Sequence, residues 1–91
     1  MATTLHVTIR GRVQGVGFRY ATYREANALG LTGWVRNAYD GSVEAEFAGP
    51  KESLDLMLGW CREGPPYARV SDVEVEWRDS DSKYVRFEIR G

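Results

Sequence analysis

The sequence has few of the side chains on which much enzyme chemistry depends. It contains one cysteine, Cys61, and one histidine, His6, so neither an internal disulfide nor a zinc site of usual spacing can form. Its only lysines are Lys51 and Lys83, and neither follows a glycine-rich loop as the P-loop pattern requires. A catalytic triad would have to recruit His6, and no nucleophile-elbow sequence accompanies it. We therefore expect a protein that uses no metal and no cofactor.

Charge and hydropathy exclude further classes. The net charge of -1 provides no basic excess for general nucleic-acid binding, and the apolar runs are too short to span a bilayer. The N-terminal residues 1–4 lack the basic and apolar regions of a signal peptide. With 43% apolar and 27% charged residues, the composition is that of an ordinary globular domain. We expect one domain over residues 1–91, cytoplasmic because its single cysteine suits a reducing compartment, with no nucleic-acid or membrane partner.

Hydrophobic periodicity predicts five strands and two helices. Alternation of apolar and polar residues predicts strands at 5–9, 43–47, 73–77 and 85–89, and we expect a further short strand at 33–37. Apolar residues at intervals of three or four predict a helix over 18–29, with Gly30 as its C-terminal cap. A second helix opens at Gly49-Pro50, with Pro50 at its first position, and Gly64 stops it. Its buried face should carry Leu54, Met57, Leu58 and Cys61.

The order of these elements predicts a topology. The simplest fold for this order (strand, helix, strand, strand, helix, strand, strand) is a ferredoxin-like α+β sandwich. In this fold two helices pack on one face of a mostly antiparallel four- to five-stranded sheet. A right-handed crossover makes strands one and two parallel, with strand three between them. Their C-terminal ends then lie at the same edge of the sheet, roughly 10 Å from each other. The loop after strand one should therefore lie close to Asn37, which ends strand two.

The loop after strand one has the features of an anion site. Its backbone N–H groups from Gln14 to Arg19 precede a helix N-terminus, where the helix dipole favours negative charge. Gly15 and Gly17 let the backbone curl, and the Arg19 guanidinium can bind two phosphate oxygens at once. The simpler interpretation is a tight turn whose glycines only connect strand to helix, with Arg19 solvated.

Asn37 offers a group that can orient a nucleophile without abstracting its proton. Its amide oxygen can accept a hydrogen bond from water while its nitrogen donates to a phosphate oxygen. The alternative interpretation is a turn residue that bonds its own backbone. Acyl-phosphate hydrolysis would suit such a site, because the carboxylate leaving group departs without a proton.

The other reactive side chains have structural interpretations. His6 lies in the middle of a predicted strand, and Cys61 lies on the apolar face of a predicted helix. Asp72, Glu74 and Glu76 have the spacing of a strand's polar face rather than of a catalytic carboxylate pair.

Two segments resemble the signatures of acylphosphatases. The first is GRVQGVGFR at residues 11–19, and the second is GWVRN at 33–37, followed by Gly41-Ser42-Val43 and Gly49. The resemblance implies a ferredoxin-like fold and metal-independent hydrolysis of acyl phosphates, in a monomeric cytosolic enzyme. It also implies that Arg19 is the substrate-binding catalytic arginine and that Asn37 orients the catalytic water. The phosphate-binding loop would comprise Gln14, Gly15, Val16, Gly17, Phe18 and Arg19.

Alternative functions remain on the same scaffold, because fold alone does not determine function. An RNA-binding module should show exposed aromatic residues and a basic face, whereas strand three should present Ser42, Glu44 and Glu46 outward. A metal chaperone should carry a Cys-x-x-Cys pair, which the sequence lacks. An acylphosphatase-like domain acting on carbamoyl phosphate in hydrogenase maturation would usually belong to a longer chain.

Overall fold

The structure, a computed structural model, describes residues 3–79 and 84–91. Met1 and Ala2 lie outside these ranges. They are half of the segment 1–4, which lacks the features of a signal peptide. The elements follow the predicted order, although several are longer than expected. They are β1 (Thr3–Arg12), α1 (Phe18–Ala28), β2 (Thr32–Asn37), β3 (Val43–Gly49), α2 (Lys51–Glu63), β4 (Arg69–Asp79) and β5 (Phe87–Arg90).

The five strands form one sheet in the order β4-β1-β3-β2-β5. Strand β3 lies between β1 and β2 and is antiparallel to both, so β1 and β2 run in the same direction as predicted. Strand β5 adds to the outer edge of β2 in parallel orientation. The ferredoxin-like arrangement of two helices on a mostly antiparallel sheet is therefore confirmed, and the C-terminal ends of β1 and β2 lie at the same edge.

The core lies between this sheet and the helices. From the sheet, Leu5, Val7 and Ile9 of β1 are completely buried, as their alternation predicts. Each such side chain contributes about 1.5–3 kcal/mol through removal from water. Each helix contributes three buried residues, which are Phe18, Thr22 and Ala26 from α1 and Leu54, Met57 and Cys61 from α2. Leu58, predicted on the same face of α2, is only partly buried against this cluster.

Two helix boundaries show how local backbone geometry limits the helices. Gly30 has φ of 70°, and the Leu31 N–H donates to the Ala26 carbonyl, which gives the predicted C-terminal cap of α1. Pro50 is the N-cap of α2 rather than its first helical residue, because its ψ of 141° is extended. In the part of the chain that the structure describes, no helix is long and apolar enough to cross a membrane.

The sheet face away from the helices is more enclosed than the sequence suggested. Ser42 and Glu46, expected to point into solvent, are buried to 3% and 9% exposure. Glu46 accepts hydrogen bonds from His6 and from the Tyr84 hydroxyl, and Arg78 lies 3.5 Å from its carboxylate. For Glu46 the prediction was wrong because strand alternation identifies which face a residue takes, but not whether long polar side chains cover that face. Ser42 lies in the turn before β3, where its hydroxyl donates to Asp40.

Candidate active site

The loop between β1 and α1 is held at both ends by buried side chains. Val13 and Phe18 are each only 1% exposed, and the Phe18 ring packs edge-on against Trp60 at 5.5 Å. Val16, in the middle of the loop, packs partly against the same core. The loop backbone is therefore held against the core by three apolar contacts while its glycines remain exposed.

Gly15 and Gly17 give the loop its curvature. Their φ values are 73° and 78°, in the left-handed region that side chains with a Cβ rarely adopt. Nothing lies within 4 Å of the position where a Cβ would stand on either residue, so the space above both is open. Gly17 is also the N-cap of α1, and no described side chain caps that helix. The N–H groups of the first helical turn are thus available to an anion.

Arg19 lies in the first turn of α1, next to the last residue of the described chain. Its Nη1 donates to the backbone carbonyl of Gly91 at 3.0 Å. Gly91 follows β5, which pairs with β2, so the guanidinium is held at the edge of the sheet. This bond fixes one nitrogen of the planar guanidinium beside the end of β5.

Asn37 ends β2 and pairs with Val43 across the antiparallel ladder. The turn that follows is closed by a hydrogen bond from the Ala38 N–H to the Ser42 carbonyl at 2.9 Å, and Gly41 supplies a φ of 91°. Residues 38–41 therefore form a hairpin connection between β2 and β3. Asn37 is partly exposed at the start of this turn, so its amide can reach a ligand.

One cavity of about 230 Å³ brings these features together. Four of the predicted phosphate-loop residues line it, and Asn37 lines its other side. Tyr20, Val13 and Ile89 complete the wall with ring and aliphatic surface. The four loop residues are Gly15, Gly17, Phe18 and Arg19. A helix N-terminus, a guanidinium and a carboxamide therefore meet around a space that can take an anion.

Gln14 and Val16, the other two predicted loop residues, are not among the residues lining this cavity. The Gln14 side chain instead crosses to the β2–β3 turn, where its Nε2 donates to the carbonyls of Ala38 at 2.8 Å and Ser42 at 3.0 Å. Sequence reasoning considered only the Gln14 backbone and missed this link. The link joins the β1–α1 loop to the residue immediately after Asn37.

The same turn is stabilised by Asp40, which lies within it, and by Arg10 of β1. Asp40 Oδ1 accepts hydrogen bonds from the hydroxyl and the N–H of Ser42, and Oδ2 accepts one from Arg10 Nη1 at 3.0 Å. These bonds, the hydroxyl bond first, lower the pKa of Asp40 to about 2. Arg10 also donates to Glu74, so it joins the turn to β4. The turn that follows Asn37 is thus stabilised by Gln14, by Arg10 and by its own internal hydrogen bonds.

The remaining reactive side chains lie elsewhere. The two ring nitrogens of His6 contact different carboxylates, Glu44 at 2.8 Å and Glu46 at 3.3 Å, so His6 is a satisfied strand residue. Cys61 is buried in the core, and burial raises the pKa of its thiol to about 12. Across residues 3–79 and 84–91, no three His, Cys, Asp or Glu side chains are arranged to hold a metal ion.

The chain resembles proteins of one family in both sequence and structure. The family model described as acylphosphatase matches residues 5–89. The acylphosphatase of Paraburkholderia xenovorans (strain LB400) is 55% identical over 85 residues, which cover 93% of this chain and 88% of that protein. The crystal structure of acylphosphatase from Bacillus subtilis has a TM-score of 0.95 at 37% identity, covering 98% of this chain and 99% of that one. An acylphosphatase structure from Coxiella burnetii has a TM-score of 0.91 at 42% identity, covering 98% and 93%.

Proposed function

The chain belongs to the acylphosphatase family, and from that premise we propose how its own residues carry out the reaction. The enzyme hydrolyses the carboxyl-phosphate bond of acyl phosphates, which yields a carboxylate and inorganic phosphate. The observation that carries the proposal is that Arg19 and Asn37 line one cavity at the N-terminus of α1.

The phosphoryl group binds to the loop over residues 14–19. Backbone N–H groups around Gly15 and Gly17 surround its oxygens, and Arg19 binds two of them through its planar guanidinium. Charge on the transferring phosphoryl group is neutralised by groups that are already in position, so little reorganisation accompanies the reaction. The contact between Arg19 and Gly91 holds the guanidinium in this position before substrate arrives.

Asn37 orients the attacking water. Its amide oxygen accepts a hydrogen bond from the water, and its nitrogen donates to a phosphoryl oxygen, which aligns the water with the phosphorus. The P–O bond to the carboxylate breaks as the water oxygen bonds to phosphorus. The leaving carboxylate is a weak base and needs no proton, and a substrate oxygen takes up the proton of the water. This route uses neither a metal ion nor a strong general acid.

The test is release of inorganic phosphate from benzoyl phosphate in the presence of a chelator. Arg19→Ala should weaken inhibition by inorganic phosphate and nearly abolish turnover. Asn37→Ala should keep that inhibition while kcat falls by about 10²–10³, the scale for loss of one positioned transition-state group. Arg24→Ala and Asn27→Ala, exposed positions on α1, are matched controls that should leave the kinetics unchanged.

Specific results would contradict the proposal. Activity that is lost on chelation would refute the metal-free route. Wild-type turnover in Asn37→Ala would remove the water-positioning role, and equal losses in Arg19→Ala and Arg24→Ala would show that only overall charge matters.

We also propose that the enzyme is monomeric and cytoplasmic. The two edge strands β4 and β5 carry charged side chains of both signs, among them Glu74, Arg78 and Glu88, and charged edges discourage pairing between sheets. The buried, reduced Cys61 suits a reducing compartment. Sedimentation across a range of concentrations tests the first statement, and a mass that rises with concentration would contradict it.

A further inference from the structure

Gly64, which ends α2, lies against the first residue of α1. It is the C-cap of α2, and its N–H donates to the Trp60 carbonyl at 2.7 Å. Its φ of 72° and ψ of -175° form a combination that is essentially restricted to glycine. The extended ψ is also favoured by Pro65, because a proline disfavours helical backbone in the residue before it. The path of the chain at this helix end is therefore strictly limited.

The missing side chain of Gly64 leaves the space that the Phe18 ring occupies. A Cβ on Gly64 would stand 2.6 Å from Cε2 and 3.3 Å from Cζ of Phe18. On another side it would stand 3.3 Å from the Cβ of Ala68. Carbon atoms pack at separations of about 3.5–4.0 Å, so any side chain at position 64 would need space that the ring already fills.

The Phe18 ring has little freedom to move away from such a side chain. It is 1% exposed, and the Trp60 ring packs edge-on against it with 5.5 Å between the ring centres. The backbone of Phe18 is held as well, because its carbonyl accepts a hydrogen bond from the Thr22 hydroxyl at 2.7 Å. A displacement of the ring would therefore be transmitted to the first turn of α1.

The first turn of α1 carries the groups that bind phosphate in the proposed function. Gly17, Phe18 and Arg19 all line the smaller cavity beside Asn37. Relief of the contact between a Cβ at position 64 and the Phe18 ring needs a shift of about 1 Å, from 2.6 Å to a normal separation. A shift of this size in a positioned group can reduce the rate of an enzyme by about 10²-fold.

We propose that Gly64 is a positioning residue for phosphate binding: its lack of a side chain allows the Phe18 ring to seat between α2 and the β1–α1 loop, and the seated ring fixes the N-terminus of α1 and Arg19. Trp60 supports the same ring from α2. The inference rests on the proposed function, because it assigns phosphate binding to this helix end. It adds two residues of α2 and its cap that touch no substrate and act through Phe18.

The first test is Gly64→Ala, studied at a temperature at which circular dichroism shows the variant to be folded. The Kd for inorganic phosphate, measured by calorimetry, and the KM for benzoyl phosphate should rise together by about tenfold, because both depend on the position of the loop. A purely structural defect would leave a smaller folded fraction, which would lower kcat and leave KM unchanged. Wild-type Kd and KM in folded Gly64→Ala would overturn the inference.

Gly30→Ala is the matched control, because Gly30 follows the other end of α1. Its φ is 70°, close to that of Gly64, but nothing lies within 4 Å of an added Cβ. This variant should lose stability through its backbone and retain the wild-type Kd and KM. A rise in Kd equal to that in Gly64→Ala would overturn the inference, because helix-end strain alone would then explain both.

A double-mutant cycle tests whether the effect passes through the ring. Phe18→Leu removes the ring atoms that face Gly64. In that background Gly64→Ala should change the Kd for phosphate by less than about twofold, because the two substitutions act on one contact. A further tenfold rise would overturn the inference.

Trp60→Leu keeps the test available if Gly64→Ala does not fold. It removes the ring that supports Phe18 and introduces no backbone strain. Loss of one aromatic pair should raise the Kd for phosphate and the KM by about two- to tenfold. An unchanged Kd in folded Trp60→Leu would overturn the role of this support.

Arg19→Ala separates the inference from the proposed function. If Arg19→Ala loses phosphate binding while Gly64→Ala and Trp60→Leu retain it, the inference alone is overturned. If Arg19→Ala binds phosphate as tightly as the wild-type enzyme, the phosphate site lies elsewhere and both are overturned.

Discussion

At the scale of single residues, Gln14 connects two parts of the site that are distant in sequence. Its Nε2 donates to two carbonyls of the turn that follows Asn37. We predict that Gln14→Ala lowers kcat/KM by about 10- to 100-fold, because misplacement of a positioned group by about 1 Å can cost about 10²-fold. Steady-state kinetics with benzoyl phosphate measures this effect.

Gln14→Glu provides the comparison. It keeps the length of the side chain but replaces the donor with an oxygen that faces two carbonyl oxygens. We expect it to be at least as impaired as Gln14→Ala. Wild-type kinetics in either variant would show that the loop and the turn hold their relative positions without this link.

Cys61 gives a prediction that depends on burial. Because burial raises the pKa of the thiol to about 12 from a usual value of 9.0, the native protein should react very slowly with iodoacetamide at pH 8, and rapidly once unfolded in guanidinium chloride. Because the pKa of the thiol is higher in the folded protein than in the unfolded protein, protonation of Cys61 contributes to the free energy of unfolding. That contribution is complete below pH 9 and is lost as the pH rises toward 12. Mass spectrometry of the labelled protein measures the reaction, and fast labelling of folded protein would contradict the buried position.

The residues of the candidate site differ in how far the sequence could predict their positions. The proximity of the glycine loop to Asn37 followed from strand order and the hand of the crossover alone. The bonds of Gln14 did not, because they depend on where two turn carbonyls point. The burial of Glu46 also escaped prediction, because it depends on His6 and Tyr84, which come from distant parts of the chain.

At the scale of secondary-structure elements, helix α2 contains a position at which a substitution should raise the stability of the protein. Gly59 is exposed in the helix interior, and nothing lies within 4 Å of an added Cβ. We predict that Gly59→Ala raises the free energy of unfolding by about 0.5–1 kcal/mol, because glycine costs that much more backbone entropy than alanine in a helix. Urea denaturation followed by circular dichroism provides the measurement.

Gly30 is the matched control for this prediction. It also has open space around it, but its φ of 70° is in the left-handed region. Gly30→Ala should therefore destabilise the protein by about 1–2 kcal/mol. If both alanine variants shifted stability in the same direction, backbone conformation would not explain the difference.

Alternation identified each strand but not its ends. Strand β1 was predicted over residues 5–9, yet it continues to Arg12, because a register shift at Arg10/Gly11 allows pairing with β4 to resume. Gly11 permits this approach, since a Cβ there would lie 2.1 Å from the Arg69 carbonyl. Strand β5 is shorter than predicted, because it begins at Phe87, and Val85 is 93% exposed.

At the scale of the whole molecule, the anion site couples ligand binding to stability. If inorganic phosphate binds the folded state alone, a concentration of 100 times Kd should raise the free energy of unfolding by about 2.7 kcal/mol. Denaturation at several phosphate concentrations measures this rise, with sulfate-free chloride buffer of equal ionic strength as the reference. Arg19→Ala should lose most of the effect, whereas an equal gain in Arg19→Ala would place the bound anion elsewhere.

The position of β1 inside the sheet has a consequence for the order in which the protein is made. Thr3 pairs with Gly49 on one side and with Asp79 on the other. At about 5–20 residues per second, a ribosome completes the second partner roughly 1.5–6 s after the first partner. During that interval one edge of an apolar strand has no neighbour, and such an edge can pair with another nascent chain. The window for aggregation is thus set by translation speed across the β3–β4 segment, and slower codons there should lower the yield of folded enzyme.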